Sequence, residues 1–432
     1  MTDIPDRIPG EVTDCAVSYI AVLCDMMIQM ELELDHRLDD ERLARALDLA
    51  FDAEPVLGCR FVTHPKMPYW ERLKPDERAG FRPVADDAQY EAFKVESLDE
   101  TIGPQVKACL QHTSNGDRLL IKVGHIAADA GATKEVVGII SSIYTRLGKK
   151  PDFRPEPNVR GSRSIHQVLD RVPWYAYPRI YLNYWGQEWT KNVPPQSCNM
   201  PVEKGPPGRP VFVLRHLDAD RVSRMAAFGR KLCGAKINDL FIAAMLRAMA
   251  RLGERGNGAN LRLMTTVDLR RYLPGGRGEG ICNLSAIVGT NLGKEIGNDF
   301  SATLERVTAQ TRRGKAFWYG LHDYVGLIPV IAHVPYGPMK KFFNALARFG
   351  ISKGSFSSGM TNLGPILKER VTFDEPARRA WLLPPPTYPP AVITALSGYR
   401  GTLTFSAGLH PQYMRKVPPD KIFDAILNEL PV

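Results

Sequence analysis

The sequence predicts a protein of the α/β class with two domains, and three observations support this. The chain has 432 residues, two to three times the usual length of one domain. Strand-like and helix-like segments alternate from end to end without a repeat of fixed length. A segment rich in proline and glycine, residues 191–210, interrupts the alternation near the middle of the chain.

The first half contains four clear elements. Residues 31–39 alternate apolar and polar side chains, which predicts a half-buried strand. From Asp39 or Asp40, either of which can cap a helix, the period becomes helical until Pro55 ends the run. A second strand is predicted at residues 118–125, after a turn signal. It leads into a second amphipathic helix with Val136, Ile140, Ile143, Tyr144 and Leu147 on its apolar face.

The Pro- and Gly-rich segment marks the domain boundary, because these residues disfavour both helix and strand. We expect domains at residues 1–190 and 210–432, joined by a crossover linker at residues 191–209. The second half restarts with strands expected at residues 210–217, 261–267 and 402–409, and a helix expected at residues 238–252.

Charge is distributed unequally between the two halves. The net charge is +9, but residues 1–200 hold 24 basic against 30 acidic side chains, and residues 201–432 hold 32 against 17. A basic protein invites a nucleic-acid interpretation, which would need aromatic and basic residues together. The aromatic segment at residues 174–189 holds few basic residues, so we expect no nucleic-acid partner.

Other classes of protein are disfavoured by local patterns. Residues 1–10 are acidic and interrupted by proline, unlike a secretory signal, and the best apolar stretch, residues 324–334, is too short for an integral membrane segment. The seven cysteines lack the spacing of a zinc site. We therefore expect no metal, no disulfide framework and a cytoplasmic location.

The most informative segment is GHIAADAG, residues 124–131. A predicted strand delivers His125 to its end, and a turn of small residues then leads into a helix. Histidine suits general-base catalysis because its ordinary pKa lies near neutrality. Asp129 can fold back beneath the turn and fix the loop. A lone strand-end histidine followed by a helix-capping aspartate fits this segment equally well.

Together with three later segments, this one resembles a known acyltransferase superfamily. The superfamily includes chloramphenicol acetyltransferase, condensation domains of nonribosomal peptide synthetases, wax ester synthases and polyketide-associated alcohol acyltransferases. GHIAADAG resembles its HHxxxDG signature, and AKINDLFIAAMLRAM (235–249) resembles its Asn-Asp helix start. MTTVDLRRYL (264–273) resembles its VPVxxR strand, and MTNLGPI (360–366) resembles its SNxxGP strand end. The order and spacing agree across nearly the whole chain.

The resemblance implies a fold and a role for several residues. Each half is expected to be a chloramphenicol acetyltransferase-like subdomain, with a mixed sheet flanked by helices and the active site in a channel between the halves. His125 is the implied catalytic base. Asp129, Gly131 and Arg270 support its loop, and Arg270 is expected to form a buried bidentate pair with Asp129. The alternative is a surface arginine beside Arg271.

Two further pairs of residues have alternative roles. Thr361 and Asn362 could hydrogen-bond a substrate carbonyl or the developing oxyanion, or they could simply satisfy the turn before Gly364. Asn238 and Asp239 are interpreted as an ordinary helix cap and a first-turn carboxylate.

Two positions depart from the pattern of the superfamily. Gly124 stands where the first histidine of the signature is usual. Ala130 replaces the glycine after the aspartate, which requires a negative φ or mild strain. The second histidine, the catalytic one, is retained as His125, and Gly131 follows directly.

The implied function is transfer of an acyl group from a thioester to a small alcohol or amine acceptor. The thioester, on CoA or on the phosphopantetheine arm of a carrier protein, is a co-substrate, so no cofactor is expected. Lys340, Lys341, Lys353 and Arg370 flank the Thr361–Asn362 loop and are expected to receive CoA phosphates or an acidic acyl carrier protein. The alternative is a catalytically inactive condensation-like module that docks a carrier protein or another partner. We expect a monomer.

Overall fold

The computed structural model describes residues 3–183, 208–253, 260–315, 317–326, 328–352, 357–388, 391–411 and 417–431. Most of the expected linker, residues 191–207, and Lys353 lie outside this part of the chain.

The N-terminal half contains seven of the described strands, β1 (Arg7–Pro9), β2 (Met27–Glu33), β3 (Cys59–Val62), β4 (Tyr69–Arg72), β5 (Phe81–Val84), β6 (Val106–Thr113) and β7 (Gly116–Gly124). Its described helices are α1 (Val12–Tyr19), α2 (Asp40–Ala53), α3 (Asp87–Val95), α4 (Ala130–Lys149) and α5 (His166–Leu169).

The described strands of the C-terminal half are β8 (Val211–Leu217), β9 (Arg262–Asp268), β10 (Ser285–Asn291), β11 (Gly359–Pro365), β12 (Thr372–Phe373), β13 (Glu375–Pro376), β14 (Arg379–Leu383), β15 (Ile393–Tyr399) and β16 (Thr402–Leu409). Its described helices are α6 (Ala219–Cys233), α7 (Ile237–Leu252), α8 (Phe300–Lys315), α9 (His322–Gly326), α10 (Ile328–His333), α11 (Tyr336–Ser352) and α12 (Pro419–Leu427). No helix of the described ranges has the length and apolar character needed to cross a membrane.

Two mixed sheets organise the molecule. The first has the strand order β14-β2-β7-β6-β5, and the second has the order β10-β9-β11-β15-β16-β8. In the first sheet β5 runs parallel to β6, and in the second β11 runs parallel to both β9 and β15. The remaining pairs in the two sheets are antiparallel. The predicted fold class, α/β with a mixed sheet and flanking helices in each half, is confirmed.

The C-terminal half contributes an edge strand to the first sheet. Strand β14 pairs antiparallel with β2, with Leu382 opposite Met30. The first sheet is therefore not built from the N-terminal half alone. The domain boundaries expected at residues 190 and 210 stay a prediction.

Local sequence explains where several elements begin. Asp39 caps α2 by accepting a hydrogen bond from the Arg42 backbone N–H (2.7 Å). The expected cap at Asn238 is wrong, because α7 begins at Ile237 and the Asp239 carboxylate accepts from the backbone N–H of Lys236 (3.0 Å). The structure therefore gives the capping role to the acidic residue.

The largest apolar core crosses from one half to the other. It joins Leu43, Phe51 and Tyr144 of helices α2 and α4 to Leu363 of β11 and Phe373 of β12. A second core lies within the C-terminal half under helix α7. Because burial of apolar surface is the main stabilising term in folding, the shared core holds the two halves in contact.

Candidate active site

A tight turn presents His125 directly after strand β7. The backbone N–H of His125 donates to the carbonyl of Met26 (2.9 Å), which continues the pairing of β7 with β2. The N–H groups of Ala127 and Ala128 both donate to the carbonyl of Gly124 (3.1 Å each). The turn then enters helix α4, so the histidine is fixed between a central strand and a long helix.

The imidazole of His125 lines a cavity, while its Nδ1 atom is buried. Burial lowers the pKa of His125, and the negative charge of Asp129 and nearby hydrogen-bond acceptors oppose this only in part. The ring is therefore neutral at neutral pH and can accept a proton.

Asp129 is the most heavily bonded residue of the turn. Its Oδ1 accepts from the Ala132 backbone N–H (2.9 Å), and its Oδ2 accepts from the Leu284 backbone N–H (2.7 Å) and the Ser285 hydroxyl (2.8 Å). Arg270 Nη1 lies 2.9 Å from Oδ1 and 3.0 Å from Oδ2. With all of these partners, the carboxylate holds the loop.

The charged pair between Asp129 and Arg270 is buried, but it is not the expected fork. One guanidinium nitrogen, Nη1, approaches both carboxylate oxygens, while Nη2 donates to the Cys282 carbonyl (2.9 Å). Burial opposes the charged form of Asp129, yet Arg270 and the backbone donors outweigh it and lower the pKa of Asp129. The surface alternative for Arg270 is wrong, because the residue is 2% exposed.

A side chain at either Gly124 or Gly131 would require neighbouring side chains to move. A Cβ atom on Gly131 would lie 2.6 Å from Arg270 Nη1, so a side chain there would displace the guanidinium. A Cβ atom on Gly124 would lie 2.5 Å from Gln105 Oε1. The space of a side chain at position 124 is thus taken by Gln105, whose amide donates to the Cys59 carbonyl (2.9 Å).

The alanine that departs from the superfamily signature causes no strain. Ala130 is the first residue of α4 and is not among the residues with positive φ. It also lines the cavity. An alanine is therefore compatible with the turn that carries His125.

Sequence reasoning missed the segment that precedes β10. Asn283 donates from Nδ2 to the Ile126 carbonyl (2.7 Å), and the next two residues, Leu284 and Ser285, bind Asp129. This segment of the C-terminal half therefore completes the turn that carries His125. Its sequence, ICNLSA, has no motif that marks it, and its partners lie more than 150 residues earlier in the chain.

The cavity beside His125 has a volume of about 350 Å³ and is mostly apolar, which is typical of a small-molecule site. Both halves line it. The apolar wall includes Val17 and Ile20 from the N-terminal half and Ile328, Ile331 and Phe343 from helices α10 and α11. The polar lining includes residues around His125 and on β9, β10 and β11, together with Thr13 of α1 and Asp323 of α9.

Thr361 and Asn362 lie on β11 and line this cavity. The Thr361 hydroxyl shares a hydrogen bond with the hydroxyl of Thr266 on β9, a residue that sequence reasoning did not single out. Asn362 uses Oδ1 to accept from the Gly364 backbone N–H (3.0 Å), as the turn interpretation expected. Its side-chain amide group is still a hydrogen-bond donor at the cavity.

The basic residues expected to bind the acyl-thioester donor lie in different parts of the C-terminal half. Lys340 and Lys341 are on α11, where Lys341 is exposed and Lys340 Nζ donates to the Tyr336 hydroxyl (3.0 Å). Arg370 is partly buried, and its side chain packs against Gly138 of helix α4. The fourth, Lys353, lies outside the described residues.

Solved structures share this architecture over almost the whole chain. Trichothecene 15-O-acetyltransferase from Fusarium sporotrichioides has a TM-score of 0.71 at 14% identity, with 98% of this chain and 94% of that chain covered. The first condensation domain of the calcium-dependent antibiotic synthetase has a TM-score of 0.67 at 16% identity, with 98% and 94% covered. This chain has the condensation-domain fold. Polyketide synthase associated protein 5 from Mycobacterium tuberculosis is also similar (TM-score 0.64, 16% identity, 96% and 95% covered).

Curated relatives match parts of this condensation-like chain. Bacitracin synthase 3 of Bacillus licheniformis is 25% identical over 296 residues, which are 65% of this chain and 4% of that protein. An uncharacterized protein of Mycobacterium tuberculosis is 28% identical over 244 residues, 50% of this chain and 51% of that protein. The chain thus spans only a small part of the first relative and about half of the second. No family model matches the chain.

Proposed function

We propose that this protein transfers an acyl group from a thioester to an alcohol or amine acceptor, with His125 as the general base. The observation that carries the proposal is the position of His125. Its neutral imidazole lines a mostly apolar cavity, on a turn fixed by the Asp129–Arg270 pair. The fold shared with an acetyltransferase and with condensation domains supports this chemistry.

The proposed reaction needs no covalent enzyme intermediate. His125 Nε2 takes the proton from the acceptor O–H or N–H as the acceptor attacks the thioester carbonyl. The C–S bond then breaks, the new C–O or C–N bond remains, and the proton passes from Nε2 to the departing thiolate. Because both substrates meet in one cavity, proximity supplies much of the rate enhancement.

Other residues of the site would support this step without transferring protons. Asp129 and Arg270 hold the turn, since both Asp129 carboxylate oxygens and both Arg270 Nη atoms already bind protein groups. The Asn362 amide and the hydroxyl pair of Thr361 and Thr266 are the donors proposed for the developing oxyanion.

The donor is proposed to be an acyl thioester of CoA or of a carrier protein. The positive charges of Lys340, Lys341, Lys353 and Arg370 would attract CoA phosphates or an acidic carrier protein. The likeness to condensation domains supports the carrier protein. The monomeric state and the cytoplasmic location stay predictions.

The direct test measures the thiol released from an acyl thioester with and without added alcohols and amines. We expect acceptor-dependent release that falls at least about 100-fold in His125→Ala, because a general base contributes factors of this size or more. His166→Ala is the matched control, since its imidazole is exposed on helix α5. Full activity in His125→Ala would exclude this mechanism. A protein without acceptor-dependent release for any thioester would instead fit the inactive docking module.

A further inference from the structure

Helix α11 exposes an apolar face at the surface of the C-terminal half. Phe342 is 60% exposed, and Leu346, about one turn later, is 52% exposed. Ala345 is also exposed, and Phe349, about one turn further along, is 60% exposed. Residues three or four positions apart lie on the same side of a helix, so these four side chains form one surface, which we call the α11 face.

The other side of α11 packs on the protein. Tyr336 and Met339 are buried there, and Phe343 lines the cavity of the candidate active site. The rings of Phe342 and Phe343 lie edge to face, with their centroids 5.8 Å apart. The helix therefore has an apolar surface on both sides, one facing the cavity and one facing outward.

Basic side chains border the α11 face. Lys341 and Arg348 are both exposed, and their separation of two helical turns places them on the same side of the helix, next to the face. Residues 324–368, which include all of α11, contain no aspartate or glutamate. Apolar side chains with basic residues beside them are typical of helices that lie at the surface of a membrane with anionic lipids.

We propose that the α11 face binds the surface of a membrane that contains anionic lipids. Phe342 and Leu346 would enter the boundary between the headgroups and the acyl chains, while Lys341 and Arg348 would bind lipid phosphates. The helix would lie along the membrane surface, with the apolar cavity behind it. This proposal goes beyond acyl transfer and does not depend on it.

A second copy of this chain would fit the α11 face less well. In a symmetric dimer the same surface of each copy meets itself, so Lys341 and Arg348 would approach the same residues of the other copy. Like charges that meet in an interface oppose binding, because their repulsion is not compensated. Anionic lipid headgroups supply the opposite charge.

An acidic carrier protein is also a poorer match. Two of the basic residues expected to receive it make contacts away from the α11 face. Lys340 donates to the hydroxyl of Tyr336 on the packed side of the helix, and Arg370 packs against Gly138 of α4. The charges expected to receive a carrier protein are therefore not concentrated on this face.

The test measures binding of the whole protein to phospholipid vesicles by sedimentation. We expect the wild type to bind vesicles of phosphatidylcholine mixed with phosphatidylglycerol, and to bind vesicles of phosphatidylcholine alone much more weakly. Added salt should weaken the binding, because basic side chains contribute to it. A wild type that binds neither kind of vesicle, or binds both equally, would overturn the proposal.

Variants identify the residues that bind the vesicles. In Phe342→Ser/Leu346→Ser we expect at least about tenfold weaker binding, because two large side chains lose their apolar contact with lipid. Arg348→Glu should weaken binding about tenfold or more through charge. Ile102→Ser is the control, since Ile102 is 70% exposed in the N-terminal half, and it should bind as the wild type does. Unchanged binding in the double variant would overturn the proposal.

Fluorescence reads the insertion directly. In Leu346→Trp we expect lipids brominated on their acyl chains to quench the fluorescence more than in Ile102→Trp, and equal quenching would contradict the proposal. The double variant should keep the wild-type rate of acyl transfer from a water-soluble thioester. A dimer that the double variant dissociates would assign the face to a second copy. Loss of transfer from a carrier-protein thioester would assign it to the carrier, and either result would overturn the proposal. If His125→Ala stays active, the proposed function fails while the vesicle measurement still decides this one.

Discussion

At the scale of one residue, Asp129 holds the turn that carries His125. The side chain is 1% exposed and binds Ala132, Leu284, Ser285 and Arg270. No hydrogen bond joins it to the His125 ring in the described structure. Its effect on the histidine is therefore through its charge and through the shape of the turn.

Replacing Asp129 with alanine should destabilise the protein. We expect Asp129→Ala to lower the free energy of unfolding by about 3–5 kcal/mol, because Arg270 would be left buried without its partner. Urea unfolding measures this change, with Asp170→Ala on the surface as the control. Because the pKa of Asp129 is lowered in the folded state, its contribution is present above the ordinary aspartate pKa. It is lost as the pH falls through the lowered value. A fully stable but slow variant would point to a chemical role.

The sequence was sufficient to predict that Asp129 and Arg270 pair on the turn that carries His125, because these residues lie in recognisable local segments. It could not predict Asn283, since nothing in its neighbours separates it from an ordinary polar residue before a strand. The role of Asn283 depends on a contact with Ile126, 157 positions away. The turn role of Asn362 likewise became visible only in the geometry, where its Oδ1 accepts from the Gly364 N–H, while its oxyanion role stays a proposal.

At the scale of elements, a hydrogen bond joins strand β11 to helix α4. Lys134 of α4 donates from Nζ to the carbonyl of Leu363 on β11 (2.7 Å), next to Thr361 and Asn362. Burial lowers the pKa of Lys134, and the nearby charge of Asp268 opposes this. The bond therefore fixes the strand that carries the proposed oxyanion donors.

We expect Lys134→Met to loosen β11 and to lower kcat about fivefold, the equivalent of one hydrogen bond of about 1 kcal/mol. The change in KM for the thioester should be smaller, because the proposed oxyanion donors on β11 act mainly in the transition state. Initial rates over a range of thioester concentrations measure both constants. Lys149→Met, an exposed position at the end of the same helix, is the control. Equal constants in Lys134→Met and the wild type would show that the bond does not shape the site.

Elements were predicted better where one face alone is buried. Helix α2 agrees with its amphipathic pattern and its cap at Asp39. Strand β2 begins at Met27, four residues before the expected strand. Nearly all of its residues are buried, so its first residues show no alternation of apolar and polar side chains. Helix α3 covers the other face of that sheet, where Glu31 pairs with Lys94 (3.0 Å). An alternating pattern is a poor guide to a strand that is covered on both faces.

At the scale of the whole molecule, the two halves build one site. Strand β14 of the C-terminal half completes the first sheet, and Arg270 and Asn283 reach the turn of His125. The apolar cavity has walls from both halves. The pairing of β14 with β2 was not predictable, because the two strands are some 350 residues apart in the sequence and such pairing leaves no local signal.

The central claim is that the protein moves an intact acyl group directly from a thioester to an acceptor. Mass spectrometry of a reaction with an isotope-labelled acyl thioester tests it most directly. We predict an ester or amide that carries the label, one thiol released for each product molecule, and no label on the protein. Labelled free acid alone, or a labelled protein that later transfers the acyl group, would contradict the account.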